Sequence, residues 1–291
     1  MKFALHFANA TFPDPDGAER LGKVAEAAGF ESLITVEHVV WPSDYESTYP
    51  YSTTGRLPGG IATKLPDPLL WMAHVGAVTK TLRFITGVII LPQRNPLVLA
   101  KEVATLDCMT KGRISLGIGV GWLREEFEAL GVPFAARGKR TDEYIEAMRV
   151  LWSSDDVSYE GTFVRFAGMS SNPKPVNGAV PILIGGHSEA AARRAGRLGD
   201  GFFPATGSQV DIFPLIELAR QTASDLGRDP AAIEVTTGCP GALEGDDPLA
   251  AVEERRRLGV DRIALSLSAF LPDLEERVGE FGERVIRHAN G

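Results

Sequence analysis

A (β/α)8 barrel is the fold this sequence predicts, on three observations. Apolar runs of strand length alternate with segments whose apolar residues recur at i, i+3, i+4 and i+7, the pattern of successive βα units around a parallel sheet. Eight such runs fit into 291 residues, the size of one barrel, and no Gly- or Ser-rich linker divides the chain. With 44% hydrophobic and 23% charged residues, there is apolar material for one large core. Residues 1–291 are therefore expected as a single α/β domain with two insertions, a lid at about 41–66 and a hairpin at about 156–167.

Phe3 to Phe7 reads as the first strand. Leu21, Val24, Ala25 and Ala28 give the first helix its buried face, and Gly29 ends it. Leu33 to Val36 is the second strand. The stretch from Trp41 to Pro66, rich in Pro, Gly, Ser and Tyr, is too long for an ordinary connection and is read as a functional lid. A helix at Pro68 to Val78, the strand LRFITGVIILP, a helix at Pro96 to Met109 and the strand RISLGIGVG follow. A long helix buries Tyr144, Ile145, Met148, Leu151 and Trp152, and VSYEGTFVRFAG alternates like a hairpin turning at Glu160 and Gly161. The second half runs VPILIGG, a helix from Ser188 to Leu198, DGFFP, a helix from Leu215 to Leu226, IEVTTG, a charged helix through Arg256, and DRIALSLS. A last helix spaces Leu274, Val278, Phe281 and Val285 along one stripe.

Composition removes several function classes. A net charge of −8 argues against nucleic acid or an anionic membrane as partner, because both reward clustered Lys and Arg. Cys108 and Cys239 stand far apart with no C-x-x-C or His-rich neighbourhood, so neither a disulfide framework nor a metal site is expected. The N-terminus has no charged region followed by a long apolar one, and no stretch approaches the roughly 20 apolar residues of a membrane span. A cytoplasmic protein acting on a small molecule is the expectation.

In a barrel, chemistry sits where strands hand over to helices. Glu37 and His38 close the second strand; a His there exchanges protons near neutral pH, with Glu37 placed to orient it, although both residues also suit plain capping of the next segment. In PILIGGHSEAA, Gly185, Gly186, His187 and Ser188 lead from a strand into a helix, so bare amides and the positive helix end face the mouth. That is a phosphate site in form, and equally an N-cap with a tight turn. GIGVGW, with Gly119, Gly121 and Trp122, fails the dinucleotide fingerprint. Its alternating glycines either let a planar ring lie on the backbone or allow close strand packing. Gly87 inside the third strand marks a bulge or a close backbone approach.

Glu37-His38, the block TGVIILPQRNPLVLAKEVATLDCMTKGRISLGIGVGW, RGKRTDEY and PILIGGHSEAAARRAGRLGDGFF together resemble the bacterial luciferase-like flavin and deazaflavin oxidoreductases, from Lys2 to about Phe203. The resemblance implies a flavin or the deazaflavin coenzyme F420 in the barrel mouth, with the ring over strands two to four. Thr86, Gly87, Val88, Gly119, Gly121 and Trp122 are expected beside the ring, and Gly185, Gly186, His187 and Ser188 at the phosphate. It also implies a bulge with a non-proline cis peptide backing the ring, at Gly87-Val88. EHVVWP, GWLREEFEALGV and RGKRTDEY look most like the F420-dependent subgroup, which is favoured over FMN. Sugar-phosphate dehydrogenases of the family carry an acid where this chain has Trp122, so that substrate is not expected. The activity implied is hydride transfer with His38 as acid or base and Glu37 orienting it. His6, Tyr49, Trp122 and Arg137 are expected at the substrate, with Arg137 pairing either with an anionic group or with Glu125 or Glu126. An FMN-dependent monooxygenase and a non-catalytic flavin-binding protein are the alternatives. A homo-oligomer, dimer or larger, is expected.

Overall fold

The computed structural model describes residues 1–204 and 211–290. Its strands are β1 (Lys2–His6), β2 (Ser32–Thr35), β3 (Arg83–Thr86), β4 (Ile89–Ile90), β5 (Ile114–Gly119), β6 (Val157–Glu160), β7 (Arg165–Met169), β8 (Ile182–Gly185), β9 (Gly201–Phe203), β10 (Glu234–Gly238) and β11 (Arg262–Ser266). All but β6 and β7 belong to one parallel sheet, ordered β3-β2-β1-β11-β10-β9-β8-β5-β4, and a further β3–β5 pairing closes it. The expected barrel is thus observed, with β3 and the two-residue β4 sharing one of eight positions.

The register sorts the side chains. Partners such as Ala4 with Ala264, Ile85 with Ser115 and Gly185 with Phe203 point to the same side, so alternate residues on every strand face inward. Ala4, Ile34, Ile85, Leu183, Phe203 and Ala264 pack together inside the barrel. Phe3, Leu33, Phe84, Leu116, Ile184, Phe202 and Ile263 face outward into the larger core beneath the helices. The N-terminal rim is plugged by Arg262, which is 2% exposed, donates to both Glu31 oxygens at 2.9 Å and also binds Glu234 and Thr236. With the lower end filled, the upper end is left for function.

Four helices begin with the same two-residue signal, Asp14-Pro15, Asp67-Pro68, Asn95-Pro96 and Asp247-Pro248. In each the side chain accepts a first-turn N–H, while proline supplies helical φ at a position that needs no donor. β6 and β7 form a separate two-stranded antiparallel sheet. Not every helix shows in the sequence pattern. Short helices form at Ala8–Thr11 and Arg124–Ala129, each too brief to show periodicity. The third strand is broken at Gly87-Val88, whose peptide is cis, as the resemblance implied. No helix among the described residues is long and apolar enough to cross a membrane.

Candidate active site

At the C-terminal ends of the strands the inward positions are taken by His6, Gly119, Gly185, Phe203, Gly238 and Ser266. Gly87 joins them: a Cβ there would run into Ile34 and stand 3.0 Å from Phe203 and 3.4 Å from His6 Nε2. The upper interior is therefore poor in side chains of its own, in contrast to the layer below.

The glycines of β5 and β8 serve the bulge. A Cβ on Gly119 would lie 2.7 Å from Val88 Cγ2, one on Gly185 2.6 Å from Val88 Cγ1, and one on Gly117 would overlap the Thr86 carbonyl oxygen. These glycines thus allow close packing of the strands against the bulge, with Val88 lying against Gly119 and Gly185. Thr86, expected beside the ring, is buried and donates its hydroxyl to Gly117 O at 2.6 Å. Gly121, at φ 79, takes a left-handed turn into Trp122 that a side chain would strain, and its Cβ would press on Phe127 and Ile90.

His38 and Glu37 part company, which corrects the expectation that one orients the other. Glu37 turns to the segment after the bulge: its side chain is 2% exposed, accepts Ile90 N–H at 2.8 Å and pairs with Arg94, which also reaches Asp67 at 2.9 Å. It ties β2 to the segment after the bulge. Burial pushes the Glu37 carboxyl up, against the pull of Arg94. His38 instead meets Glu126, with Nδ1 3.0 Å from Oε2. The other oxygen of Glu126 accepts Val39 N–H at 2.6 Å and Val40 N–H at 3.3 Å. Burial raises this carboxyl, yet the His38 and Val39 contacts outweigh it and hold it below the ordinary range.

Glu126 is absent from the sequence-based candidates, although a signal exists. Leu123, Glu126, Phe127 and Leu130 fall at i, i+3, i+4 and i+7, which places an acid on an apolar stripe. Asn9 was likewise invisible. Fully buried, it donates to Val36 O and Pro66 O and accepts Val36 N–H, all at 2.9 Å, pinning both roots of the 41–66 segment.

That segment forms neither helix nor strand and lies across the mouth as a strap. Tyr45 and Tyr49 meet Trp122 edge to face with centroids 5.5 and 5.1 Å away, Trp41 meets His38 at 4.5 Å, and Tyr51 meets His187 at 4.7 Å. Burial, then the neighbouring Tyr51, pushes the Tyr49 phenol up to about 12, so it stays neutral. His6, stacked on Phe7 at 3.9 Å, sits below with its pKa pushed down to about 4 by burial. Arg137 pairs with neither Glu125 nor Glu126: its Nε donates to Gly121 O at 3.1 Å and its guanidinium lies 3.8 Å over Phe134. Both acids are already engaged by residues of the strap and its root.

At the loop after β8, Gly186 adopts φ 122, where a Cβ would meet Ala191 at 3.1 Å. Ser188 caps the helix Glu189–Leu198 by accepting Ala191 N–H at 3.3 Å. Helix geometry leaves the Glu189 and Ala190 amides without carbonyl partners. His187 Nδ1 is buried without a partner among the described residues. Bare amides, a side-chain-free approach and an orphaned ring nitrogen together form a cradle for an anion. No group of three or more His, Cys, Asp or Glu placed to hold a metal occurs among the described residues.

Residues 3–288 match the family described as luciferase-like monooxygenase. A Mycobacterium tuberculosis protein of uncharacterised function is 36% identical over 208 residues, covering 72% of each chain. The F420-dependent glucose-6-phosphate dehydrogenase of Nocardia farcinica is 36% identical over 62% of this chain and 54% of its own. The FMNH2-dependent dimethylsulfone monooxygenase of Pseudomonas fluorescens is 33% identical over 67% and 49%. Among solved structures, a monooxygenase from Streptomyces bottropensis superposes with a TM-score of 0.77 at 24% identity over 99% of both chains. The coenzyme F420-dependent tetrahydromethanopterin reductase of Methanopyrus kandleri gives 0.77 at 18% over the same shares.

Proposed function

The chain belongs to the luciferase-like monooxygenase family, whose members are oxidoreductases, and from that premise we propose that it holds coenzyme F420 and transfers a hydride between this deazaflavin and a small organic substrate. One observation carries the reading: the Gly185–Ser188 cradle and the Val88 bulge share one barrel mouth that also holds a histidine–carboxylate pair. The cradle suits the cofactor's phosphate, and Val88 with Trp122 would flank its ring. Once bound, the deazaflavin supplies a two-electron hydride donor or acceptor.

The chain's own residues supply the rest. Glu126 accepts Nδ1–H of His38, which leaves Nε2 with a lone pair to take a proton from, or return one to, the substrate oxygen. Strap aromatics exclude water from the mouth. Tyr49 and His6, neutral near pH 7, add no charge there. The relative named F420-dependent favours this cofactor, while the cradle would take the phosphate of FMN equally well, leaving a flavin monooxygenase as the second reading.

Fluorescence titration of the purified protein with F420 and with FMN tests the assignment. Saturable F420 binding at least tenfold tighter than FMN, retained in His38→Ala while turnover falls, is expected; FMN binding without F420 binding overturns it. A homo-oligomer is supported by Leu70, Val98 and Met109, all largely exposed on the helices Pro68–Val78 and Pro96–Met109. Light scattering should give at least twice the chain mass.

A further inference from the structure

Glu125 and Glu126 are consecutive in the helix Arg124–Ala129, yet they hold different things. Glu126 holds His38 and the strap's first root, as described. Glu125 holds the strap's middle: Oε1 accepts the N–H groups of Glu46 at 2.7 Å and Ser47 at 3.1 Å, and Oε2 accepts the Ser47 hydroxyl at 2.7 Å. Ser47 Oγ in turn accepts the N–H of Arg124 at 3.0 Å. The helix has no cap from its own Leu123, so Ser47 serves as its N-cap from another part of the chain.

The strap is also bound to itself. Arg56 donates to Tyr45 O at 2.8 Å and stacks 4.4 Å over the Tyr45 ring, and Leu57 N–H donates to the Tyr45 hydroxyl at 3.1 Å. Its roots are fixed by Asn9 and by the Arg94–Asp67 pair. A segment cross-linked internally and pinned at its ends moves as a body, and Ser47 is where hydrogen bonds dock that body on the helix after β5. Tyr45 and Tyr49, on either side of Ser47, are the residues whose rings lie against Trp122.

We infer that seating of the strap and alignment of His38 are one event, coupled through the adjacent carboxylates of Glu125 and Glu126, with Ser47 as the positioning residue. When Ser47 docks, it caps and orders the first turn of the helix, and the same turn places Glu126 against His38 Nδ1. Undocking frays that turn and releases the histidine. The inference rests on the assignment of His38 as proton carrier for its functional meaning, but not for its test, which needs no cofactor.

Ser47→Ala removes both hydroxyl bonds without touching His38, and Ser47→Thr restores them. Two measurements on the free protein read the coupling: chymotryptic cleavage within 45–51, and the imidazole 15N signals of His38, assigned by loss in His38→Asn. In Ser47→Ala, cleavage is expected to rise about tenfold, the scale of one to two lost hydrogen bonds. The His38 signals should move from a single Nδ1–H tautomer toward an averaged position, with Ser47→Thr returning both to wild type. Cleavage that rises while the His38 signals stay unchanged overturns the coupling, as does no change in either. A protein that showed this coupling yet failed to bind F420 would refute the cofactor assignment alone, and one that bound F420 without it would refute only the coupling.

Discussion

Glu126→Gln is the substitution whose consequence follows most directly from the geometry, because it preserves shape and changes only one atom's hydrogen-bonding role. In the wild type one oxygen accepts Val39 N–H at 2.6 Å and Val40 N–H at 3.3 Å, and the other faces His38 Nδ1 at 3.0 Å. A glutamine has only one oxygen. Placed toward His38, it would set its NH2 against two backbone donors and leave both unsatisfied, at about 1–3 kcal/mol each. Placed toward the backbone, it sets NH2 against Nδ1, and a neutral imidazole adapts by moving its proton to Nε2. The second arrangement therefore wins, and the nitrogen facing the mouth loses its lone pair. General base catalysis contributes about 10²–10⁴-fold, and in serine proteases a carboxylate-to-amide change beside the catalytic histidine reaches the upper end of that range. We expect hydride transfer at saturating F420 and substrate to fall by about 10²–10⁴, with cofactor affinity within about twofold of wild type and the 15N spectrum showing protonated Nε2. An inverted tautomer with undiminished turnover would remove His38 from the chemistry, and an unchanged tautomer would refute the orientation assigned to Glu126.

Three further outcomes test other parts of the structure. Gly119→Ala should destabilise by about 1–3 kcal/mol, as overpacking does, and weaken cofactor binding, since its Cβ would press on Val88 at 2.7 Å; denaturant unfolding should show Val88→Ala recovering most of the loss, and an additive double variant would contradict the packing account. Arg94→Ala leaves the Glu37 carboxylate buried without its ion partner and should cost about 3–5 kcal/mol, read as a lowered urea midpoint at unchanged m; a drop no larger than that of a surface substitution would mean Glu37 is not held as an anion. Glu26, despite some burial, is held at about 2 by the N–H groups of Thr81, Leu82 and Lys80 and by the Thr81 hydroxyl, against an ordinary value of 4.5. Its folded pKa is depressed, so its stabilisation is complete above 4.5 and is lost as pH falls toward 2. Glu26→Gln should therefore be less stable than wild type at pH 6 but nearly equal near pH 2, and a constant difference across that range would refute the assignment.

The sequence by itself determined the barrel and the places where its chemistry could gather. Period-two and period-3.6 patterns are local, as are Asx-Pro helix starts and the Gly185–Ser188 turn, so they can be read without knowing which residues meet. The resemblance added the Gly87-Val88 bulge and the cofactor class. Only the tertiary structure decided which carboxylate serves His38. Glu37 is adjacent in the chain, but successive side chains leave an extended backbone on opposite sides, and Glu37 turns to Arg94 and Ile90 while Glu126, 88 residues away, closes on the imidazole. It likewise decided that Gly119 and Gly185 accommodate Val88, that Arg137 lies on Phe134 and that Asn9 pins the strap. Each of these depends on segments distant in sequence being brought together by barrel closure, and a pairing between distant segments leaves no periodic trace in either one.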